Sequence, residues 1–235
     1  MLIKIFESKL LGVKKLNKTV IELRFSLPKD FKFKAGQYLS LSMIINGKKI
    51  RKPYSISSIP GENLGSFCIK LVQGGEGSSF LKKLKKGDKI ELFGPAGKFI
   101  VDEKSKKKDL IFISTGTGIS AFKSMIPDLL INQNFKNKII LIKGFRNEGR
   151  NLYDREFLAL SKKFKNFEFF NIFSRPKSKN FERKGRVQNF IFKISPRNFS
   201  GDFYLCGLEE MIKSVSKKLK EKSIKEERIF FEKYN

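Results

Sequence analysis

The tetrapeptide Thr115-Gly116-Thr117-Gly118 interrupts the stretch DLIFISTGTGISAFKSM, residues 109–125, where an apolar run gives way to small residues and then to helical spacing. Gly116, Gly118 and Ala121 fit G-x-G-x-x-A between a predicted strand and a predicted helix. Glycines there let the backbone approach a pyrophosphate, and the helix N-terminus offers free N–H donors and the positive end of its dipole. A tight strand-to-helix turn without a ligand has the same pattern, so the motif needs support from elsewhere in the chain. A fold that takes NAD carries an acid about 20 residues later to hold the ribose hydroxyls. Here the next strand ends in KGFRNEG, with Arg146 near that place, and the one after ends in Ser174-Arg175, followed by ERKGRVQ. Arg175, Arg183, Lys184 and Arg186 beside the Ser174 hydroxyl suit a 2′-phosphate, which favours NADP over NAD; the competing reading is an ordinary basic surface.

Composition narrows the chemistry. The 235 residues include no histidine and two cysteines, Cys68 and Cys206. This removes Ser/His/Asp catalysis, the usual zinc sites, a disulfide framework and a four-thiolate iron-sulfur cluster. Catalysis is therefore expected to use a bound cofactor, or carboxylates and lysines. Fifty Lys and Arg against 23 Asp and Glu give a net charge of +27, enough to steer acidic partners. The lysines are spread from end to end, which equally suits a compositional bias, and no aromatic and basic residues interleave as a nucleic-acid module. No apolar segment approaches the ~18 residues of a membrane span, and MLIKIFESKL lacks the long apolar core of a signal peptide, so a cytoplasmic protein without membrane insertion is expected.

These residues must be positioned by two kinds of structure. LIKIFESKLLGVKKL, TVIELRFSL, GQYLSLSMII, KPYSISSI, SFCIKLV and DKIELFG read as short strands between turns, predicting an all-β antiparallel barrel over residues 1–102. DEKSKKKD, 102–109, reads as a linker. Beyond it LIFIS, KIILIKGF, FEFFNIFS, DFYLCG and RIFFEKY alternate with the helical segments SAFKSMIPDLLIN, YDREFLALSKKF and EEMIKSVSKKLKEK. That rhythm predicts an α/β doubly wound parallel sheet over residues 109–235.

Taken together the motifs resemble the ferredoxin/flavodoxin-NADP reductase family, and the likeness runs over nearly the whole chain. The family's flavin motif Arg-x-Tyr-Ser is similar to Lys52-Pro53-Tyr54-Ser55, and its second flavin segment to GEGSSFLKKLKKGDKIELFGPAGKF. Its nicotinamide loop G-T-G-I-A-P is similar to GTGISA. Its Ser-Arg pair, K-G-R-V-Q-like segment, Y-x-C-G and C-terminal E-x-[FY] are similar to Ser174-Arg175, KGRVQ, YLCG and EKYN.

The resemblance implies FAD and NADP as cofactors and assigns roles. The FAD site would comprise Lys52, Pro53, Tyr54, Ser55, Lys70, Leu71, Val72, Gly77, Ser78 and Ser79, with the Tyr54 ring against the isoalloxazine and Ser55 near flavin N5. Lys52 replaces the family's arginine and loses its bidentate fork, so Arg51 or the amides near Ser78 and Ser79 would share the pyrophosphate. The coenzyme site would comprise Thr115, Gly116, Thr117, Gly118, Arg146, Ser174, Arg175, Lys184, Arg186, Cys206 and Gly207. Cys206 would lie beside nicotinamide C4, and Tyr234, with Glu232, would cover the flavin face that the nicotinamide uses. Asn235 follows, making that ring penultimate. Catalytic roles thus fall on Ser55, Cys206, Glu232 and Tyr234. The implied activity is hydride transfer between NADP(H) and FAD, with single electrons passing to an acidic ferredoxin or flavodoxin. Two other readings are an oxygenase reductase component or free-flavin reductase, and a basic nucleic-acid-binding or regulatory protein on the same fold.

Overall fold

Alternation of apolar and polar residues builds the first half of the chain. In YLSLSMII, Leu39, Leu41 and Met43 are buried while Ser40 and Ser42 between them are half-buried, the pattern of a strand with one face on a core. A slip of one residue would turn that face to water, at about 1.5–3 kcal/mol for each large side chain exposed. Six such strands form: β1 (Lys4–Asn17), β2 (Val20–Ser26), β3 (Tyr38–Ile45), β4 (Lys48–Ser55), β5 (Leu64–Lys70) and β6 (Lys89–Ala96), with α1 (Glu76–Lys83) before β6. The computed structural model describes residues 3–196 and 199–234.

The strands pair antiparallel in the order β4-β3-β6-β1-β2-β5. The sheet curls on itself, because Ile56, just past β4, forms an antiparallel bridge with Phe67 of β5. Beside that bridge the Ser57 amide donates to the Ser66 carbonyl at 2.8 Å and the two hydroxyls meet at 2.7 Å. Leu23, Phe25, Leu39, Leu41, Phe67 and Leu92 fill the interior, which is the expected all-β antiparallel domain. Cys68, on β5, is buried and forms no disulfide with Cys206.

The second half is a parallel sheet of β7 (Leu110–Thr115), β8 (Ile139–Phe145), β9 (Phe167–Phe173), β10 (Asp202–Leu208) and β11 (Ile229–Tyr234), ordered β11-β10-β7-β8-β9. Its helices are α2 (Ile119–Pro127), α3 (Asp154–Lys163), α4 (Ile191–Ile194) and α5 (Glu209–Glu221). Ile111, Ile113, Ile140, Ile142, Phe203 and Leu205 pack with Ile212, Val215 and Leu219 of α5. On the other face Phe112 meets Phe122 of α2 and stacks on Tyr204. Helices therefore cover both faces, as doubly wound sheets require. From β7 the chain steps outward through β8 to β9, then returns to place β10 and β11 on the other side. The strand order reverses between β7 and β10, where ligands bind in such sheets. No helix among the described residues is long and apolar enough to cross a membrane.

Two local expectations need correction. The segment 102–109 is not a free linker: Ser105 is buried and its hydroxyl donates to Asp202 at 2.8 Å, while Lys108 Nζ reaches the same carboxylate at 3.0 Å. Asp202 lies far along the chain, so the local pattern around Ser105 and Lys108 does not announce it. SAFKSMIPDLLIN is not one regular helix, since α2 ends at Pro127 and a π turn, Asp128–Asn132, follows. Proline has no N–H to continue the ladder, and the turn resets it. Packing groups Met1–Ile100 with Lys123–Asp128, and Val101–Phe122 with Leu129–Asn235. The second half of α2 thus belongs with the first unit, where Ser124 Oγ donates to the Ser58 carbonyl at 2.6 Å.

Candidate active site

The glycine loop ends β7 as a single 3₁₀ turn, Gly116–Gly118, leading directly into α2. Gly116 has φ of +57°, and a β-carbon added there would meet nothing within 4 Å. The backbone at this point is open to an approaching ligand. Gly118 is the reverse case: a β-carbon there would overlap the Cys206 carbonyl. Gly207 has φ of +142°, and a β-carbon on it would sit 2.5 Å from Thr115 Oγ1. These two glycines let the ends of β7 and β10 close on each other, and Leu208 N–H donates to Thr115 Oγ1 at 3.4 Å.

Parallel register carries a polar row across the sheet. Ser114 on β7 pairs with Cys206 on β10, which pairs with Glu232 on β11; on the other side Ser114 pairs with Lys143 of β8. Cys206 is fully buried. Burial pushes its thiol well above the ordinary value, with the Glu232 charge adding to the effect and a hydrogen bond with Tyr234 opposing it. Cys206 is thus a neutral thiol suited to shaping a pocket, not to nucleophilic attack. The Tyr234 hydroxyl also meets Ser120 Oγ at 3.0 Å. Cys206, Glu232, Tyr234 and the glycine loop are brought together at the point where the strand order reverses. Asn235 lies outside the described residues.

Backbone pairing assembles the basic set. Past the ends of β8 and β9, Ser174 N–H donates to the Phe145 carbonyl at 3.0 Å and Arg175 N–H to the Arg146 carbonyl at 2.7 Å. The 183–186 segment runs alongside, with Gly185 N–H donating to Phe173 at 2.9 Å. Arg146, Ser174, Arg175, Lys184 and Arg186 are all exposed. Among the described residues none of these four cations ion-pairs with a carboxylate. Arg183 leaves the expected cluster, because its Nε donates to the Asn171 carbonyl and its guanidinium lies over Phe170 and Phe181. Glu148, in the same loop region, accepts from the Lys177 and Ser178 amides, which hold its carboxyl below the ordinary value.

In the first unit Tyr54 is half-buried, its ring 5.6 Å from Phe67, and burial pushes its phenol up. Ser55 is buried, whereas Lys52 and Pro53 are exposed. Arg51 is engaged elsewhere, its guanidinium over the Phe93 ring at 4.7 Å and facing Glu91 at 4.0 Å. Helix α1 starts after Gly75 with no side-chain cap. The Ser79 amide is spent on the Gly75 carbonyl at 2.9 Å, so it does not serve an anion. The amides of Glu76, Gly77 and Ser78 precede the first intrahelical bond. A β-carbon on Gly77 would meet nothing closer than Met43 at 3.7 Å. Ser78 Oγ accepts from Val72 N–H at 2.8 Å and closes the loop, while Lys70 and Val72 are exposed and Leu71 is half-buried. A half-buried aromatic ring, free amides at a helix start and an exposed lysine fit a flavin nucleotide.

The matches to known proteins follow the two units. Residues 7–100 match an oxidoreductase FAD-binding domain and residues 112–217 an oxidoreductase NAD-binding domain. Ferredoxin--NADP reductase B of Sorangium cellulosum is 31% identical over 89% of this chain and 89% of its own length. The chain belongs to the ferredoxin-NADP reductase family. The reductase component DmpP of a Pseudomonas phenol 2-monooxygenase is 33% identical over 93% of this chain, which spans 62% of that protein. A ferredoxin NADP+ reductase from Neisseria gonorrhoeae, solved with bound FAD and NADP, superimposes with a TM-score of 0.84 at 25% identity, covering 98% of each chain. This reductase is an FAD-binding, nicotinamide-nucleotide-binding oxidoreductase.

Sequence reasoning missed the buried Lys143 of the reductase. Lys143, fully buried on β8, donates to Asn151 Oδ1 at 3.1 Å, the Leu152 carbonyl at 3.0 Å and Asp154 Oδ1 at 2.9 Å. Burial pushes the lysine down, and Asp154 opposes it. The network ties the loop carrying Arg146 and Glu148 to the start of α3. A lysine inside the apolar run KIILIKGF was the available signal.

Proposed function

We propose that the protein oxidises NADPH through a bound FAD and passes single electrons to a small acidic carrier, a ferredoxin or flavodoxin, in the cytoplasm. The observation that carries the coenzyme choice is the exposed set Arg146, Ser174, Arg175, Lys184 and Arg186 at the ends of β8 and β9. A dianionic 2′-phosphate suits such a cluster better than a ribose diol, which calls for an acceptor. Cys68 and Cys206 form no disulfide with each other, in keeping with a reducing compartment.

The residues divide the work. Gly116, Thr117 and the α2 N-terminus hold the coenzyme pyrophosphate, and the basic set fixes the adenosine end. Cys206, kept neutral, leaves room for the nicotinamide, and Glu232 brings its carboxyl beside it. Tyr234 excludes water until the coenzyme enters. On the flavin side Lys52 and the α1 amides take the pyrophosphate, Tyr54 supplies an aromatic surface and Ser55 a hydroxyl. FAD supplies the conversion of a two-electron donor into one-electron steps. No general base is needed, since hydride transfer depends on approach and alignment.

The 33% identity to a monooxygenase reductase component supports a second reading, in which the acceptor is an oxygenase. Steady-state reduction of isolated carriers by NADPH separates the two. The proposal expects an acidic flavodoxin or ferredoxin to be reduced at a rate that falls steeply with salt, as a +27 surface steers an anionic partner. Turnover only with an oxygenase component would support the second reading.

A further inference from the structure

Ser120 has no role in the proposed chemistry, yet its hydroxyl is buried in the first turn of α2, directly after the glycine loop. Its Oγ lies 3.0 Å from the Tyr234 hydroxyl. Tyr234 stands at the end of β11, in register with Leu208 just past Cys206, and its hydroxyl also bonds the Cys206 thiol. The phenol is therefore held at its far end by two side chains from two different elements, α2 and β10. Both anchors lie at the reversal of strand order between β7 and β10, where a coenzyme extending from Gly116–Gly118 would bring its nicotinamide.

We infer that Ser120 is a positioning residue that latches the Tyr234 ring in place, so that nicotinamide entry must break the Ser120–Tyr234 hydrogen bond. This rests on the coenzyme reading above and adds to it a residue that sets how much of the reductase is open to the nicotinamide half. The latch acts on a population: the apparent affinity of a ligand that needs the ring displaced is its intrinsic affinity reduced by the open fraction. Only the nicotinamide half pays this cost. The adenosine 2′-phosphate half, bound at the basic set, does not.

The test is calorimetric titration of the FAD-loaded protein with NADP+ and, separately, with adenosine 2′,5′-bisphosphate, which lacks the nicotinamide. Ser120→Ala should tighten NADP+ roughly three- to tenfold, the range for loss of one neutral hydrogen bond, and leave the bisphosphate unchanged. Tyr234→Phe removes the same bond from its other end and keeps the ring, so it should tighten NADP+ at least as much. The double variant should match Tyr234→Phe, because the shared bond can be lost only once. If wild type binds the bisphosphate and NADP+ but neither variant changes their ratio, the latch is overturned while the coenzyme site stands. If both ligands shift together, Ser120 acts on the loop as a whole and the latch is again overturned. If wild type binds neither ligand, the coenzyme reading itself falls, and the latch with it.

Discussion

Arg175→Ala should lower kcat/KM for NADPH by roughly 10- to 100-fold and leave NADH almost untouched. Arg175 is exposed at the end of β9, and its amide is fixed to the Arg146 carbonyl at 2.7 Å. Its backbone is therefore held at the same corner as Arg146 and Ser174, and among the described residues no carboxylate ion-pairs with its guanidinium. A charge-assisted hydrogen bond to a phosphate oxygen is worth about 1.5–3 kcal/mol. The 2′-phosphate is not a reacting group, so the loss should fall on KM with kcat nearly constant. It should also shrink as ionic strength rises, because the site is open to solvent. Steady-state kinetics with both coenzymes check this. Equal losses would make Arg175 a general nucleotide contact, and no loss would make the basic set ordinary surface charge.

Gly118→Ala should cost both stability and coenzyme binding, whereas Gly116→Ala should cost mainly binding. At Gly118 an added β-carbon would overlap the Cys206 carbonyl and lie 2.7 Å from the Gly207 nitrogen, all backbone atoms that cannot rotate away. The ends of β7 and β10 must separate, at about 1–3 kcal/mol for overpacking of this kind. Displacing them by even 1 Å would misplace Cys206, which is expected to cost roughly 100-fold in turnover. At Gly116 the added methyl meets no protein atom, so the protein pays only the left-handed backbone, about 1 kcal/mol. The methyl would instead occupy the space through which a pyrophosphate reaches the loop. Thermal denaturation and NADP+ titration of the two variants separate these effects. Equal losses of stability would contradict the contrast between the two glycines.

Strands were legible because burial writes itself into local pattern. YLSLSMII alternates for a sheet with one dry face, and IILIKGF is apolar almost throughout for a strand buried on both. The glycine loop was legible for a different reason, since only glycine tolerates the approach of Gly118 to Cys206. Partners distant in sequence were not. Nothing near Ser105 announces Asp202, nor does the local pattern around Ser120 announce Tyr234. Arg183 looked like a member of the phosphate cluster because charge is visible in sequence, whereas its engagement with Asn171, Phe170 and Phe181 depends on the turn after β9. Lys143 is a lone charge in an apolar strand and went unread, because its three acceptors come from the following loop and helix.

Anaerobic titration of the FAD-loaded protein with NADPH is the sharpest check on the proposed transfer of hydride from NADPH onto FAD. The flavin absorbance should bleach with one equivalent of NADPH, with NADH requiring far higher concentrations to reach the same rate. A protein that binds no FAD, or whose bound flavin stays oxidised under excess NADPH, would overturn the proposed function.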